Sequence, residues 1–232
     1  MEDRGSIEKN VKAVINCIKN CSDIDVIALP EFFAYPLGFF KEMTENFGKN
    51  AAKRMYEESN WIFNELKEVS YNAAILIAGS LIEKHKDKYY NTCYVLNKGE
   101  VIAKYRKINI IDEEIKAGIS PGNKIVSFKI HSTRAGIMIC ADCLKDSIVK
   151  KVCENSEIVF LPISMTSPEH PTVEGHPLSI KAAKKYGVKI VKISKTAVYS
   201  GKKFGVKSAV ITPKGVLSEA ESVDECVLKV SL

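Results

Sequence analysis

Short apolar, β-branched runs recur along this chain, and their connections constrain its fold more than any other feature. IDVIALP (24–30), AAILIAGSLIE (73–83), IVSFKI (125–130), RAGIMIC (134–140), EIVFLPIS (157–164), KIVKIS (189–194), VKSAVITP (206–213) and ECVLKVS (225–231) each read as a strand. YYNTCYVLNKGEVIAKYRK reads as two strands joined at NKGE, a hairpin turn containing Gly99. Between some of these runs the spacing becomes helical. Ser6 is a candidate N-cap for a helix carrying Ile7, Val11, Val14, Ile15 and Ile18 on one side. Residues 41–70 predict one or two helices broken near Gly48, and 146–155 and 177–186 predict two more. Helices alternating with strands in some places and hairpins in others imply a mixed-sheet α/β or α+β domain, not a purely parallel sheet.

The 232 residues carry no linker, repeat or low-complexity segment, and the expectation is a single domain over 1–232. The net charge of +6 comes from 34 basic residues, of which only Arg4, Arg54, Arg106 and Arg134 are arginines. The lysines are dispersed, which describes a solvated basic face and argues against a nucleic-acid partner. Seven cysteines, an odd number scattered through a chain without a signal peptide, point to the cytoplasm. No apolar stretch is long enough for a bilayer, so no membrane association is expected.

Three reactive side chains stand at the ends of apolar runs: Glu31 after IDVIALP, Lys107 after GEVIAKYR and Cys140 after GIMI. Residues at strand ends are held by a rigid scaffold yet remain accessible. Each alone has a bland reading, as a solvated acid, a surface lysine or a small core residue. Cys140 and Cys143 also admit a redox Cys-x-x-Cys pair or half of a zinc site. The redox pattern wants the pair opening a helix, and zinc lacks a second set of ligands. A thiol nucleophile needs a base or a cation beside it. None of His85, His131, His170 and His176 lies in a cysteine-protease setting, which leaves a carboxylate base with a neighbouring lysine.

DVIALPEFF, KYRKINI and GIMICAD occur in the order and approximate spacing of the three signatures of the nitrilase, or carbon-nitrogen hydrolase, superfamily, and the chain resembles that family. SPGNK (120–124), SEIVFLP and GVKSAVITPKGVLSEA extend the resemblance over nearly the whole length. It implies an α+β fold, a four-layer αββα sandwich. The family's apolar strand before the first helix has no counterpart in MEDRGSIEKN, so either the start is truncated or the sheet lacks a strand.

The resemblance assigns the catalytic triad to Glu31 as proton acceptor, Lys107 as charge stabiliser and Cys140 as nucleophile, with the Ala141 N–H as oxyanion donor. It implies a second glutamate, Glu114 with Glu113 as the rival, and a substrate-lining segment in 162–179 that includes Met165 and His176, with Glu169, His170 and Glu174 also polar there. Small Ala141 follows the cysteine where the family commonly has a large residue, and CLKD replaces the usual Arg-Phe-Pro-Glu continuation. The implied reaction is hydrolysis of a small linear amide or N-carbamoyl compound through a cysteine thioester. It needs no cofactor or metal, and the implied assembly is a homo-oligomer. The competing reading is a non-catalytic binding protein on the same scaffold, against which the retention of all three triad residues argues.

Overall fold

A computed structural model describes residues 3–72, 74–164, 176–199 and 202–232. Ser6 opens α1 (Ile7–Lys19) by accepting a hydrogen bond from the Lys9 N–H, and the helix buries Ile7, Val11, Val14 and Ile18. β1 (Val26–Ala28) follows, then α2 (Phe39–Phe47) and α3 (Ala51–Val69), separated by one 3₁₀ turn at Gly48–Asn50. The long α3 buries Met55, Ile62 and Leu66 completely. Truncating such a side chain to alanine typically costs about 2–5 kcal/mol.

The segment 73–83, expected as one strand, is two: β2 (Ile75–Ile77) and β3 (Leu81–His85). Gly79 makes the break. It takes φ +56°, and a Cβ there would stand 2.1 Å from the Pro30 carbonyl oxygen, so only glycine lets this bend approach the residue preceding Glu31. β4 (Lys88–Asn97) and β5 (Glu100–Arg106) form the expected hairpin. In this first sheet β1 runs parallel to β2, both β2 and β3 pair antiparallel with β4, and β5 lies along the other side of β4. A five-residue helix, α4 (Asp112–Lys116), which the sequence analysis did not assign, follows β5.

The second sheet is built from β6 (Ser127–Ile130), β7 (Thr133–Ile137), β8 (Ile158–Ile163), β9 (Lys189–Ser194), β12 (Ala209–Thr212) and β13 (Gly215–Glu219). Its centre, β7–β8–β9, is parallel, with α5 (Asp146–Glu154) and α6 (Pro177–Tyr186) as the crossovers, and its margins are antiparallel. A small hairpin, β10 (Ala197–Tyr199) with β11 (Lys202–Phe204), was not foreseen. The expected strand at 225–231 does not form. Among the described residues it pairs with no strand, Val227 is exposed, and Arg4 holds Glu225 at 2.6 Å.

Three apolar clusters define four layers. α1 and α3 pack on the first sheet through Val11, Ile62, Leu76 and Leu96. Ile77, Val95 and Tyr105 of the first sheet meet Ala135, Ile137 and Phe160 of the second. Val149, Val152 and Ala183 of α5 and α6 cover the second sheet's other face through Leu161 and Ile190. This is the αββα sandwich. α1 is the first element among the described residues, with no strand before it.

Candidate active site

Glu31 lies just beyond β1, in a loop fastened from several directions. The Leu29 N–H donates to the Ile77 carbonyl at 2.9 Å and the Phe32 N–H to Ser80 Oγ at 3.3 Å. Asn10 Nδ2 donates to the Ala34 carbonyl, and the buried Lys195 ammonium donates to the carbonyls of Phe32 and Tyr35. Glu31 itself is 3% exposed. Lys107 follows β5. Its N–H donates to the Asn91 carbonyl at 2.9 Å, and its own carbonyl accepts from Gly122 at 2.7 Å. A Cβ on Gly122 would stand 2.2 Å from the Arg106 carbonyl oxygen, so the Pro-Gly step read in the sequence is what allows the chain to close on Lys107.

Cys140 sits three residues beyond β7, where the chain turns into a 3₁₀ helix (Cys140–Leu144) with φ +45°. A non-glycine residue in the left-handed region is strained, and here the strain is held by Asp142. The fully buried Asp142 carboxylate accepts from the N–H groups of Ile139, Ile108 and Asn109 at 2.9, 3.2 and 2.7 Å and from the Tyr105 hydroxyl at 2.8 Å. Asn109 Nδ2 donates to the Ala141 carbonyl at 2.6 Å. These bonds tie the cysteine turn to the segment carrying Lys107, across the space between the two sheets.

The side chains converge. Lys107 Nζ lies 2.9 Å from Glu31 Oε1 and 2.8 Å from Glu114 Oε2, and all three side chains are 2–3% exposed. Burial disfavours the Lys107 ammonium, but the charges of Glu31 and Glu114 outweigh it and hold the ammonium far above the ordinary lysine range. Glu31 Oε2 accepts from the Ser164 N–H at 3.0 Å, at the end of β8. Burial, followed by the charge of Glu31, pushes the Cys140 thiol well above its ordinary value, against the opposing charge of Lys107. Glu114 is likewise raised, first by burial, which the Lys107 charge opposes, and then by the like charge of Glu31. One cation thus serves two carboxylates beside a thiol whose ionisation burial disfavours.

Of the two candidate second glutamates, the structure brings in Glu114. It is 1% exposed at the third position of α4 and also accepts from the Ile111 N–H at 3.0 Å. Glu113, one residue earlier on the helix, faces solvent, which corrects its assignment to the site. Ala141 is buried beside Cys140. His176 is buried at the start of α6 between Glu219 and Lys192, at 2.8 Å from each, so the structure groups it with those residues and not with Lys107. Met165, Glu169, His170 and Glu174 lie outside the described residues. Among the described residues no cluster of His, Cys, Asp or Glu is arranged to hold a metal ion, and no helix is long and apolar enough to cross a membrane.

Sequence reasoning missed Asn91, Asp142 and the Ser164 N–H. Asn91 had a signal, a polar amide inside a strand where Asn is depleted. Asp142 had a weaker one, an acid two residues after the proposed nucleophile. Ser164 had none, since it acts through its backbone.

The family model for carbon-nitrogen hydrolase matches residues 2–228. Human omega-amidase NIT2 is 33% identical over 129 residues, covering 50% of this chain, and the chain spans 43% of that relative's length. A mutant of Nesterenkonia AN1 amidase from the nitrilase superfamily superposes with TM-score 0.77 at 16% identity, covering 95% of this chain and 83% of that one. Saccharomyces cerevisiae Nit3, described as a member of branch 10 of the superfamily, gives 0.73 at 19%, covering 94% and 82%. At such identities the structures speak for the fold, and they have the αββα arrangement's overall course. With the family model spanning almost every residue, the chain belongs to the carbon-nitrogen hydrolase family.

Proposed function

We propose that this protein hydrolyses a carbon–nitrogen bond of a small linear amide through a thioester on Cys140. The observation that carries the reading is the buried contact of one ammonium, Lys107, with Glu31 and Glu114, next to a thiol whose ionisation burial disfavours. A thiol held well above its ordinary pKa is a poor nucleophile until a base takes its proton, and Glu31 is the carboxylate within reach. As sulfur attacks the carbonyl carbon, the proton passes to Glu31 and the C–S bond forms. The oxyanion is held by the Lys107 ammonium and the Ala141 N–H, a type of contact worth about 2.7–4 kcal/mol per donor. Collapse breaks the C–N bond, with Glu31 returning the proton to the leaving nitrogen. Glu31 then activates water, which releases the acid and restores the thiol.

The similarity to omega-amidases makes an ω-amide of a dicarboxylic acid the first substrate to test, with N-carbamoyl compounds next. The test is ammonia release from a panel of primary amides and carbamoyl compounds by the wild type and Cys140→Ala. Release by the wild type alone supports the reading. Release by both, or by neither on any amide, carbamoyl or nitrile substrate, overturns it, and the second result favours a binding role.

A further inference from the structure

Asn91 is a buried polar side chain that the reaction scheme above does not use. It is 0% exposed, in the middle of β4. Its Nδ2 donates to Glu31 Oε1 at 3.0 Å and to Glu114 Oε1 at 2.8 Å, so one amide bridges the two carboxylates. Its backbone carbonyl accepts the Lys107 N–H at 2.9 Å. The remaining atom, Oδ1, is buried with no hydrogen-bond partner. An orphaned buried acceptor is costly, and it persists here because both N–H bonds of Nδ2 go to carboxylates. Turning the amide over to satisfy Oδ1 would set an oxygen against two anions.

Together with Lys107, Asn91 closes a ring. Glu31 Oε1 takes both Lys107 Nζ and Asn91 Nδ2, whereas Glu31 Oε2 takes the Ser164 N–H near Cys140. The two oxygens of Glu31 are therefore inequivalent: Oε1 is anchored on two side-chain donors, whereas Oε2 takes one backbone N–H and is the freer of the two to accept a proton.

We infer that Asn91 is a positioning residue that sorts the oxygens of Glu31, fixing Oε1 so that Oε2 is the proton acceptor, and that it holds two carboxylates together around one lysine. It rests on the reading of Glu31 and Cys140 as base and nucleophile. A neutral double donor suits this place, because a second cation would over-stabilise the carboxylates and weaken the base, while no donor would leave two like charges in a dry pocket. Among the described residues, the charged and titratable groups acting on Glu31 or Glu114 are Lys107, Cys140, Lys195 and Cys143.

The test compares Asn91→Asp, which keeps the shape and replaces both N–H donors, with Asn91→Ser, which keeps one short donor. Each is assayed for kcat and KM against pH on a primary amide, and for the pH dependence of Cys140 alkylation by iodoacetamide. The inference expects kcat to fall by about 10²-fold with KM changed little, as for a misplaced reacting group. It also expects the acid limb of both profiles to move up by about one pH unit, because the carboxylate pair loses donors to its charged form. Either folded variant keeping the wild-type limb and kcat within about threefold overturns it, and so does a loss of rate without movement of the limb. Should Asn91→Asp fail to fold, Asn91→Ser alone decides. Alkylation needs no substrate, so an Asn91 result stands even where Cys140→Ala shows that the hydrolysis reading fails.

Discussion

β4 and the end of β5 build two carboxylate clusters from adjacent residues, and the clusters are opposites. Thr92 and Arg106 point to one, Asn91 and Lys107 to the other. In the first, Glu83 accepts from Arg106 at 2.7 and 2.8 Å, from Lys104 at 2.7 Å and from Thr92 at 2.9 Å, and the guanidinium lies 4.1 Å from the Tyr90 ring centroid. Burial alone would raise the Glu83 carboxyl, but the Arg106 and Lys104 bonds outweigh it and hold the group down at about 2. In the second, one cation is shared by two carboxylates, and burial with like charge raises Glu114. A surplus of cations at a partly solvated edge makes a clamp that does not exchange protons near neutrality. A surplus of anions in a dry pocket beside a thiol suits the proton acceptor proposed for Glu31. Chain alternation puts successive residues of one strand on opposite faces, so a single hairpin supplies both.

Breaking the second cluster is expected to cost most. Lys107→Met should lower kcat on an amide by about 10²–10³-fold, since it removes the proposed oxyanion donor. It should also destabilise the fold by about 3–5 kcal/mol, since two buried carboxylates lose their cation. Steady-state kinetics and urea unfolding check the two parts. Glu114→Gln should lower kcat by about 10²-fold, and it should move the acid limb of kcat/KM to lower pH, because removing a like charge eases ionisation of what remains. That shift is opposite in sign to the one expected for Asn91 variants, so a pH–rate profile separates the two roles.

The clamp should respond in stability and not in rate. Glu83→Gln should cost about 2 kcal/mol at pH 7 and leave kcat within about twofold. Because Glu83 is held at about 2, below its ordinary 4.5, its contribution is complete above the ordinary value and fades as the pH falls toward 2. The unfolding gap between wild type and variant should accordingly narrow from about pH 5 to pH 3. Thr92→Ala should be the mildest, about 1 kcal/mol of stability with unchanged turnover, a direct contrast with its neighbour Asn91.

Much of this is legible in the sequence. The 3.6-residue spacing and Ser6 located α1, and the NKGE turn located the β4–β5 hairpin, because local periodicity and turn chemistry dictate both. Glu31, Lys107 and Cys140 stood out as reactive groups at strand ends, and the choice of Glu114 over Glu113 waited only on which face α4 buries. What stayed hidden depends on contacts distant in the chain. Asn91 gains its meaning only when β4 meets the loops bearing Glu31 and Glu114, and Asp142 only when the cysteine turn meets Ile108 and Asn109. The alternating apolar pattern of 225–231 did not become a strand: it pairs with none of the described strands, and an unpaired strand is not stable on its own.

The central claim is that a thiol deprotonated by Glu31 becomes acylated at Cys140. Its most direct test is the intact mass of the protein quenched during turnover of an ω-amide, for the wild type, Glu31→Gln and Cys140→Ala, with peptide mapping of any adduct. The account predicts an added acyl mass on Cys140 in the wild type, at most a trace of it in Glu31→Gln, and none in Cys140→Ala. Amide hydrolysis with no adduct on Cys140, or an adduct that forms as readily without the Glu31 carboxylate, would contradict it.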